Sequence, residues 1–211
     1  RIASSSYVPY HHVDLSHEID VRTPVRALFN GGEAVATVAR VEGSRLWLED
    51  TPPIPLGAGM SVNILDPSLV VKGTLTPRDR EFLSAGRAAG EHRYMLSYVE
   101  HSRDIEEVFL LDPDAEILAK IESKKGLAWV ASEYSHYADR VHLMAARGDL
   151  FLELEEPARI LEALEAIIYA DPGAVAASRI LSSMRRGGPP SCEEVCDVGF
   201  LARLGYRTVA L

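Results

Sequence analysis

The sequence predicts an α/β protein that carries a small all-β module near its N-terminus. Two patterns lead to this prediction. Alternating β-branched runs separated by turn residues occupy residues 22–65, which is typical of a small β module. From Leu75 onward, strand and helix patterns alternate. Repeated βα units of this size indicate a parallel sheet, either open or closed into a barrel.

The first twenty residues are polar, and within them only His12–Leu15 is predicted as a short strand. Three histidines at positions 11, 12 and 17 are close enough to consider a metal site, but their irregular spacing favours a solvated segment. The strands predicted for the β module are Val25–Phe29, Ala34–Val41, Leu46–Leu48 and Ser61–Ile64.

The α/β part begins with a helix. Thr76 is a candidate N-cap and Pro77 suits the first helical position, so a helix is predicted through about Ala89. The later predicted strands are Tyr94–Val99, Glu116–Ile121, Arg140–Ala145, Ala174–Ala177 and Arg207–Leu211. The later predicted helices are Ser102–Leu110, Lys125–Glu133, Glu156–Tyr169 and Cys192–Leu204.

Composition limits the classes of partner. The formal net charge of −9 argues against a general binder of nucleic acid or of anionic membranes, because both require a basic surface. A small molecule or another protein is the expected partner. Two cysteines, no signal peptide and no apolar run long enough to span a bilayer predict a cytoplasmic location. The sequence begins with Arg1 rather than Met, which leaves open that an upstream portion of the protein was removed or omitted.

The stretch from Ile117 to Leu150 contains the main candidate site residues. Because strand side chains alternate, Lys120 and Glu122 share one side of a predicted strand with Leu118. The opposite side consists of Ile117, Ala119 and Ile121. We therefore expect a strand that is apolar behind and charged in front.

A second strand in this stretch is followed by polar residues. Its buried run consists of Val141, Leu143 and Met144. The tripeptide Arg147-Gly148-Asp149 follows where the strand should open into a loop. Chemistry collects at the carboxyl ends of parallel strands, so Lys120, Glu122 and Asp149 are candidate site residues. The tripeptide is also an adhesion motif, but the buried strand before it favours a site.

Several segments together resemble one known family. LTPRDREFL (75–83), SYVEHSRDIEEV (97–108), AKIES (119–123), AARGDL (145–150), ASRILSSM (177–184) and PPSCEEVCDVG (190–199) follow the order and approximate spacing of the pyruvate kinase barrel. The resemblance covers roughly residues 65–211 and implies a partial (β/α)8-type (TIM) barrel. The run from Val13 to Ser16 is similar to the strand that precedes the family's inserted β domain.

The resemblance also implies a domain organisation. Residues 1–21 would be an N-terminal segment with a candidate barrel strand. Residues 22–65 would be a shortened form of the family's inserted β domain, and residues 66–211 would be the barrel portion.

The resemblance implies roles for individual residues. Lys120 matches the lysine that stabilises the enolate and the phosphoryl group in transfer, and Glu122 and Asp149 match the carboxylates that hold the divalent ion. The substrate carboxylate would meet backbone N–H groups in the turn made by Ala146, Arg147 and Gly148. Ser178 occupies the position of a threonine that the family uses for catalysis and substrate binding. Serine keeps the hydroxyl group of that threonine and lacks its methyl group. Ser97 and Asp14 match residues near a monovalent-cation site.

The chemistry of these residue types agrees with those roles. Two carboxylates supply hard oxygen ligands for Mg²⁺ or Mn²⁺ and leave open positions for an α-keto acid. The metal and an ammonium group can together stabilise the charge of an enolate. The implied cofactors are therefore Mg²⁺ or Mn²⁺, with K⁺ as a further ion, and the implied substrate is a small carboxylate or keto acid.

The sequence also departs from the family pattern. Within the given sequence, no segment matches the family's first two barrel strands, which carry an Arg-Asn-Ser-His motif that binds nucleotide phosphate. In addition, Glu100 occupies a position where the family usually has an arginine. Phosphotransfer and a keto-acid lyase, aldolase or decarboxylase reaction therefore both stay open. The alternative is a non-catalytic regulatory or assembly subunit. A homo-oligomer or a partner chain that completes the barrel is expected.

Cys192 and Cys196 lie four residues apart on a predicted helix. This spacing allows a shared metal, although packing of the helix face is favoured because two ligands do not make a zinc site.

Overall fold

The computed structural model describes residues 12–154 and 156–211, apart from the side chains of residues 185 and 186. His11 and the loop predicted for residues 1–11 lie outside this range. The chain divides into two compact units, Arg1–Thr76 and Pro77–Leu211. No helix among the described residues has both the length and the apolar character needed to cross a bilayer.

The first unit is built from short β-strands. They are β1 (His12–Asp14), β2 (Ile19–Asp20), β3 (Val25–Phe29), β4 (Ala34–Glu42), β5 (Arg45–Leu48), β6 (Val62–Asn63) and β7 (Val70–Val71). Five of them form an antiparallel sheet in the order β1-β5-β4-β3-β6, and β2 pairs with β7 separately. Alternating residues such as Ala27, Phe29, Val38 and Leu46 form the core and are almost completely buried. The predicted all-β module is thus present as a sheet.

Strand β1 differs from its predicted role as a barrel strand. It pairs antiparallel with β5 and is the edge of the β module's sheet. Two side-chain contacts across this pair explain the placement. Arg45 donates to both carboxylate oxygens of Asp14, at 2.7 and 3.2 Å, and the rings of His12 and Trp47 lie 5.3 Å apart.

The second unit contains a parallel sheet with helices between its strands. The strands are β8 (Arg93–Leu96), β9 (Glu116–Ile121), β10 (Val141–Ala146), β11 (Val175–Ala177) and β12 (Thr208–Ala210). The helices are α1 (Pro77–Ala88), α2 (Ser102–Leu111), α3 (Lys124–Ser132), α4 (Arg147–Glu153), α5 (Ile160–Ala170) and α6 (Cys192–Leu204). The strand order is β12-β11-β10-β9-β8, so consecutive strands are neighbours, as in a βα barrel wall. Among the described residues β8 and β12 are the edges, and a closed barrel is not confirmed.

The two faces of this sheet differ in burial. On β9, Ile117, Ala119 and Ile121 are at most 1 % exposed, which confirms the predicted apolar side. On the other face, Met95 of β8 lies beside Leu118 of β9 and is 59 % exposed, so the sheet is more open there. The helical side therefore supplies most of the core of this unit.

Helix α4 begins where the sequence predicts a loop. Its N-cap Ala146 offers no capping side chain, so the usual start signal is absent. Asp149 lies in the first turn, where a negative charge is favourable, and Leu150 is fully buried. Among the described residues, the short 3₁₀ helices Tyr134–His136 and Ser182–Arg186 were not predicted. A third, Pro157–Arg159, lies at the start of the helix predicted from Glu156 and is followed by α5.

The start of α3 lies close to the backbone beyond β8. A Cβ at Gly126 would stand 2.8 Å from the carbonyl oxygen of Val99, so Gly126→Ala must displace the backbone. We expect this change to lower the free energy of unfolding in urea by about 1–3 kcal/mol. Gly199→Ala in α6 is the control, because no atom lies within 4 Å of its added Cβ. It should raise stability by about 0.5–1 kcal/mol, and equal effects at both glycines would contradict the packing.

Candidate active site

The predicted site residues stand at the carboxyl ends of neighbouring parallel strands. Ser97 directly follows β8, Lys120 is the penultimate residue of β9, Arg147 follows β10 and Ser178 follows β11. Parallel strands end at a common edge of the sheet, so these residues lie along the edge where α/β proteins bind ligands.

Lys120 and Glu122 form the best-defined pair at this edge. They are two residues apart on an extended segment and therefore face the same way. The Lys120 Nζ lies 2.8 Å from Oε1 of Glu122 and donates to the Ser97 hydroxyl at 3.2 Å. The Lys120 side chain is 23 % exposed and that of Glu122 only 2 %. The charged front predicted for this strand thus includes a carboxylate that is almost fully buried.

Burial raises the pKa of the Glu122 carboxyl above its ordinary value, because a buried charge loses its hydration. Lys120 and the backbone N–H of Tyr98, which donates to Oε2 at 2.7 Å, act in the opposite direction. The negative charge of Asp149 adds to the raised pKa. The two carboxylates are therefore close enough to repel each other.

Asp149 reaches the site from the first turn of α4. Its Oδ1 accepts a hydrogen bond from the Tyr98 hydroxyl at 3.3 Å. Tyr98 thus contacts both predicted metal ligands, through its backbone at Glu122 and through its side chain at Asp149. Two neighbouring carboxylates are the hard oxygen donors that suit Mg²⁺ or Mn²⁺, so the chemistry of this donor set fits such an ion.

Gly148 and Ser178 are joined directly. The Gly148 N–H donates to the Ser178 Oγ at 2.8 Å. A Cβ at position 148 would lie 3.1 Å from the same oxygen, so only glycine allows this approach without displacement. The first N–H groups of a helix have no partner within the helix, and those of α4 follow Ala146 at this edge.

The Arg147 side chain stabilises the start of α4. Its guanidinium donates to both carboxylate oxygens of Asp197 in α6, each at 2.9 Å, and to the Arg179 carbonyl oxygen at 3.2 Å. Such a bidentate pair is geometrically specific. Because the guanidinium is already paired, Arg147 would contact a substrate through its backbone N–H group, as the resemblance implies. Asp197 is not among the residues that the sequence predicts for the site, so this partner of Arg147 is unpredicted.

Unusual backbone conformations occur beside these residues. Tyr98 and Ser178 have φ angles of +52° and +63°, and Arg179 and Leu181 also have positive φ. Residues other than glycine rarely adopt this left-handed backbone conformation, and backbone strain of this kind is common at functional sites. Here three of the four residues, Tyr98, Ser178 and Arg179, contact predicted site residues.

The proposed monovalent-cation ligands are in different environments. Asp14 lies in the first unit, where its carboxylate is half exposed and paired with Arg45. The Arg45 hydrogen bond lowers the pKa of Asp14. Ser97 lies in the second unit and accepts the Lys120 ammonium. The monovalent-cation role stays a prediction for both residues.

Glu100 and Glu153 add negative charge to this region. Glu100 accepts the Ser123 hydroxyl at 2.6 Å and lies 3.7 Å from the Lys125 ammonium. Burial, and then the charge of Glu100, raise the pKa of Glu153. Glu153 is four residues after Asp149 and therefore lies one turn further along the same face of α4. The sequence did not indicate this proximity, because a loop was predicted for this segment.

Other predicted or possible metal ligands lie elsewhere. Cys192 and Cys196 are exposed free thiols on α6, so the favoured packing interpretation is wrong for this helix. Within the described part of the chain, His92, Asp112 and Asp114 are the one group of three ligating residues close enough for a metal. Asp112 already accepts hydrogen bonds from the Tyr94 hydroxyl and the Asp114 N–H, and its side chain contacts His92. This group is therefore explained as a structural cluster.

Comparisons with known proteins give one consistent result. The family model described as pyruvate kinase, barrel domain, matches residues 17–205. The pyruvate kinase of Thermoplasma acidophilum is 33 % identical over 133 residues, covering 60 % of the chain and 24 % of that relative. That of Thermotoga maritima is 31 % identical over 144 residues, covering 65 % and 30 %. One from Agrobacterium vitis is 28 % identical over 202 residues, covering 85 % and 40 %. The chain spans less than half the length of these relatives.

Proposed function

The chain belongs to the pyruvate kinase family, and we propose that it is part of a divalent-metal-dependent enzyme that forms the enolate of a pyruvate-like or phosphoenolpyruvate-like acid. The observation that carries the proposal is the ion pair between Lys120 and the buried Glu122, with Asp149 close by. This arrangement lies at the carboxyl ends of parallel strands, the edge where such sheets bind ligands.

Glu122 and Asp149 are the proposed ligands of Mg²⁺ or Mn²⁺. The ion would act as a Lewis acid that polarises a substrate oxygen. Glu122 is held for this role by two contacts, the Lys120 ammonium on Oε1 and the Tyr98 N–H on Oε2. Because burial disfavours the charged form of Glu122, a nearby cation stabilises this carboxylate more than it would stabilise an exposed one.

Lys120 is the proposed electrostatic group for the reaction. Its ammonium is fixed between Glu122 and Ser97, and its partial exposure leaves it accessible from the open edge. A fixed positive charge stabilises an enolate oxygen more than the neutral keto form, which is the condition for catalysis. The substrate carboxylate is proposed to bind the backbone N–H groups after Ala146, with the Ser178 hydroxyl beside Gly148.

Enolate formation is the step shared by the reactions that we propose. Phosphoryl transfer from a phosphoenolpyruvate-like acid releases an enolate, and a lyase, aldolase or decarboxylase acting on a keto acid also forms one. Pyruvate kinases generally use Mg²⁺ and K⁺. We propose K⁺ as the further ion, with Ser97 as a candidate ligand in the second unit.

Oxalate, a stable mimic of the pyruvate enolate, tests this proposal. Calorimetric titration of the chain with oxalate should show binding in the presence of Mn²⁺ and none in its absence. Malonate, which is one methylene longer, is the control and should bind at least about 10-fold more weakly. Metal-independent binding, or no binding at millimolar oxalate with Mn²⁺, would contradict the proposal.

A further inference from the structure

We propose that Tyr98 is a positioning residue that holds the two metal-binding carboxylates in one fixed arrangement, and this inference rests on the proposed function. Glu122 and Asp149 belong to different elements, the segment after β9 and the first turn of α4. Strands β9 and β10 are paired as far as Ile121 and Ala145, and both carboxylates lie beyond that pairing, so a further connection would fix their relative position. Tyr98, which the sequence did not mark as a site residue, supplies that connection.

The backbone of Tyr98 faces Glu122. Its N–H donates to Oε2 of Glu122 at 2.7 Å, within the range of a strong charge-assisted hydrogen bond. The residue has a φ of +52°, a left-handed conformation that residues other than glycine rarely adopt. The following residue, Val99, is fully buried, and its N–H donates to the Lys120 carbonyl oxygen at 3.3 Å. This contact anchors the unusual turn to β9.

The side chain of Tyr98 faces Asp149. Its hydroxyl donates to Oδ1 at 3.3 Å, and the residue is 40 % exposed. A donor on one carboxylate oxygen restricts rotation of the carboxylate and favours presentation of the other oxygen. Groups of this kind around metal ligands typically change metal affinity by about 10- to 100-fold when removed.

The hydroxyl is the group that distinguishes this role from packing. Phenylalanine at position 98 would keep the ring and the backbone N–H that holds Glu122, but it would lose the contact with Asp149. A residue that only fills space would tolerate this change. A positioning residue would not, because one of the contacts that orient Asp149 would be lost.

Mn²⁺ alone is the probe for the experiment. Its affinity is measured by electron paramagnetic resonance and calorimetry for the wild type, Tyr98→Phe and the control Tyr169→Phe, whose ring is 90 % exposed. We expect Tyr98→Phe to weaken Mn²⁺ binding about 10-fold and to alter the spectrum of the bound ion, with an unchanged melting temperature. Tyr169→Phe should change neither quantity.

Two outcomes separate the inference from the proposed function. Unaltered Mn²⁺ affinity and spectrum in Tyr98→Phe, with normal binding by the wild type, would overturn the positioning role and leave the proposed function in place. A wild type that binds no Mn²⁺ would overturn the proposed function and, with it, the inference. An equal loss in both tyrosine variants would also overturn the positioning role.

Discussion

Lys120→Met is expected to slow the exchange of pyruvate methyl hydrogens for deuterium by at least about 100-fold, because removing one electrostatic donor from such a site typically costs that much. The ammonium lies 2.8 Å from the Glu122 carboxylate, so its charge is fixed at the candidate site before substrate binds. Methionine has a similar length and no charge. The exchange is followed by proton NMR in D₂O with Mg²⁺ and K⁺ present.

The matched control is Lys72→Met in the first unit. Lys72 also pairs with a carboxylate, that of Asp20 at 3.0 Å, but both side chains are largely exposed. The control removes the same charge from the chain and should leave the exchange rate unaltered. If Lys120→Met exchanged as fast as the wild type, Lys120 would not be the group that stabilises the enolate.

Glu122→Gln is expected to weaken Mn²⁺ binding by at least about 100-fold, since it removes the charge of a proposed metal ligand and keeps its size. Glutamine can still accept the Tyr98 N–H that donates to Glu122 at 2.7 Å. The loss should therefore arise from the missing charge rather than from a displaced loop. Glu162→Gln on α5, where the carboxylate is 72 % exposed, is the control and should bind Mn²⁺ normally. Equal Mn²⁺ affinity in the wild type and Glu122→Gln would contradict the ligand assignment.

The same variant should alter the dependence of stability on pH in metal-free buffer. The pKa of Glu122 is raised in the folded state, mainly by burial. Its contribution to stability is therefore fully present below the ordinary pKa of 4.5 and is lost as pH rises through the folded value. Glutamine does not titrate, so the stability of Glu122→Gln relative to the wild type should increase with pH over this interval. Urea unfolding at several pH values measures the difference, and a decrease with rising pH would contradict the account.

Periodic patterns predicted most of the regular elements. The strands around Lys120 and Met144 and the helix that starts at Cys192 are confirmed, because alternation and helix caps are local properties of the sequence. Ser191 and Glu194 form a capping box at that helix. The resemblance to pyruvate kinases is also confirmed by the match of the family model.

Features that depend on tertiary contacts were not predictable in this way. Helix α4 has seven residues and no capping side chain at its start, so its strongest determinant is the burial of Leu150. The burial of Glu122 depends on the residues that cover the end of β9. The alternation of side chains along the strand predicts only which face of the sheet Glu122 lies on. The contact between Tyr98 and Asp149 joins residues 51 positions apart. No local signal in the sequence indicates such a pair.

Exchange of pyruvate methyl hydrogens by the wild-type chain, with and without Mg²⁺, is the decisive test for an enolate-forming site at Lys120, Glu122 and Asp149. Enolate formation releases a methyl hydrogen, so every reversible cycle in D₂O introduces deuterium. We expect exchange that depends on Mg²⁺, rises with chain concentration and is inhibited by oxalate. Exchange that stays at the rate of buffer containing Mg²⁺ alone would contradict the assignment of an enolate-forming site at Lys120, Glu122 and Asp149.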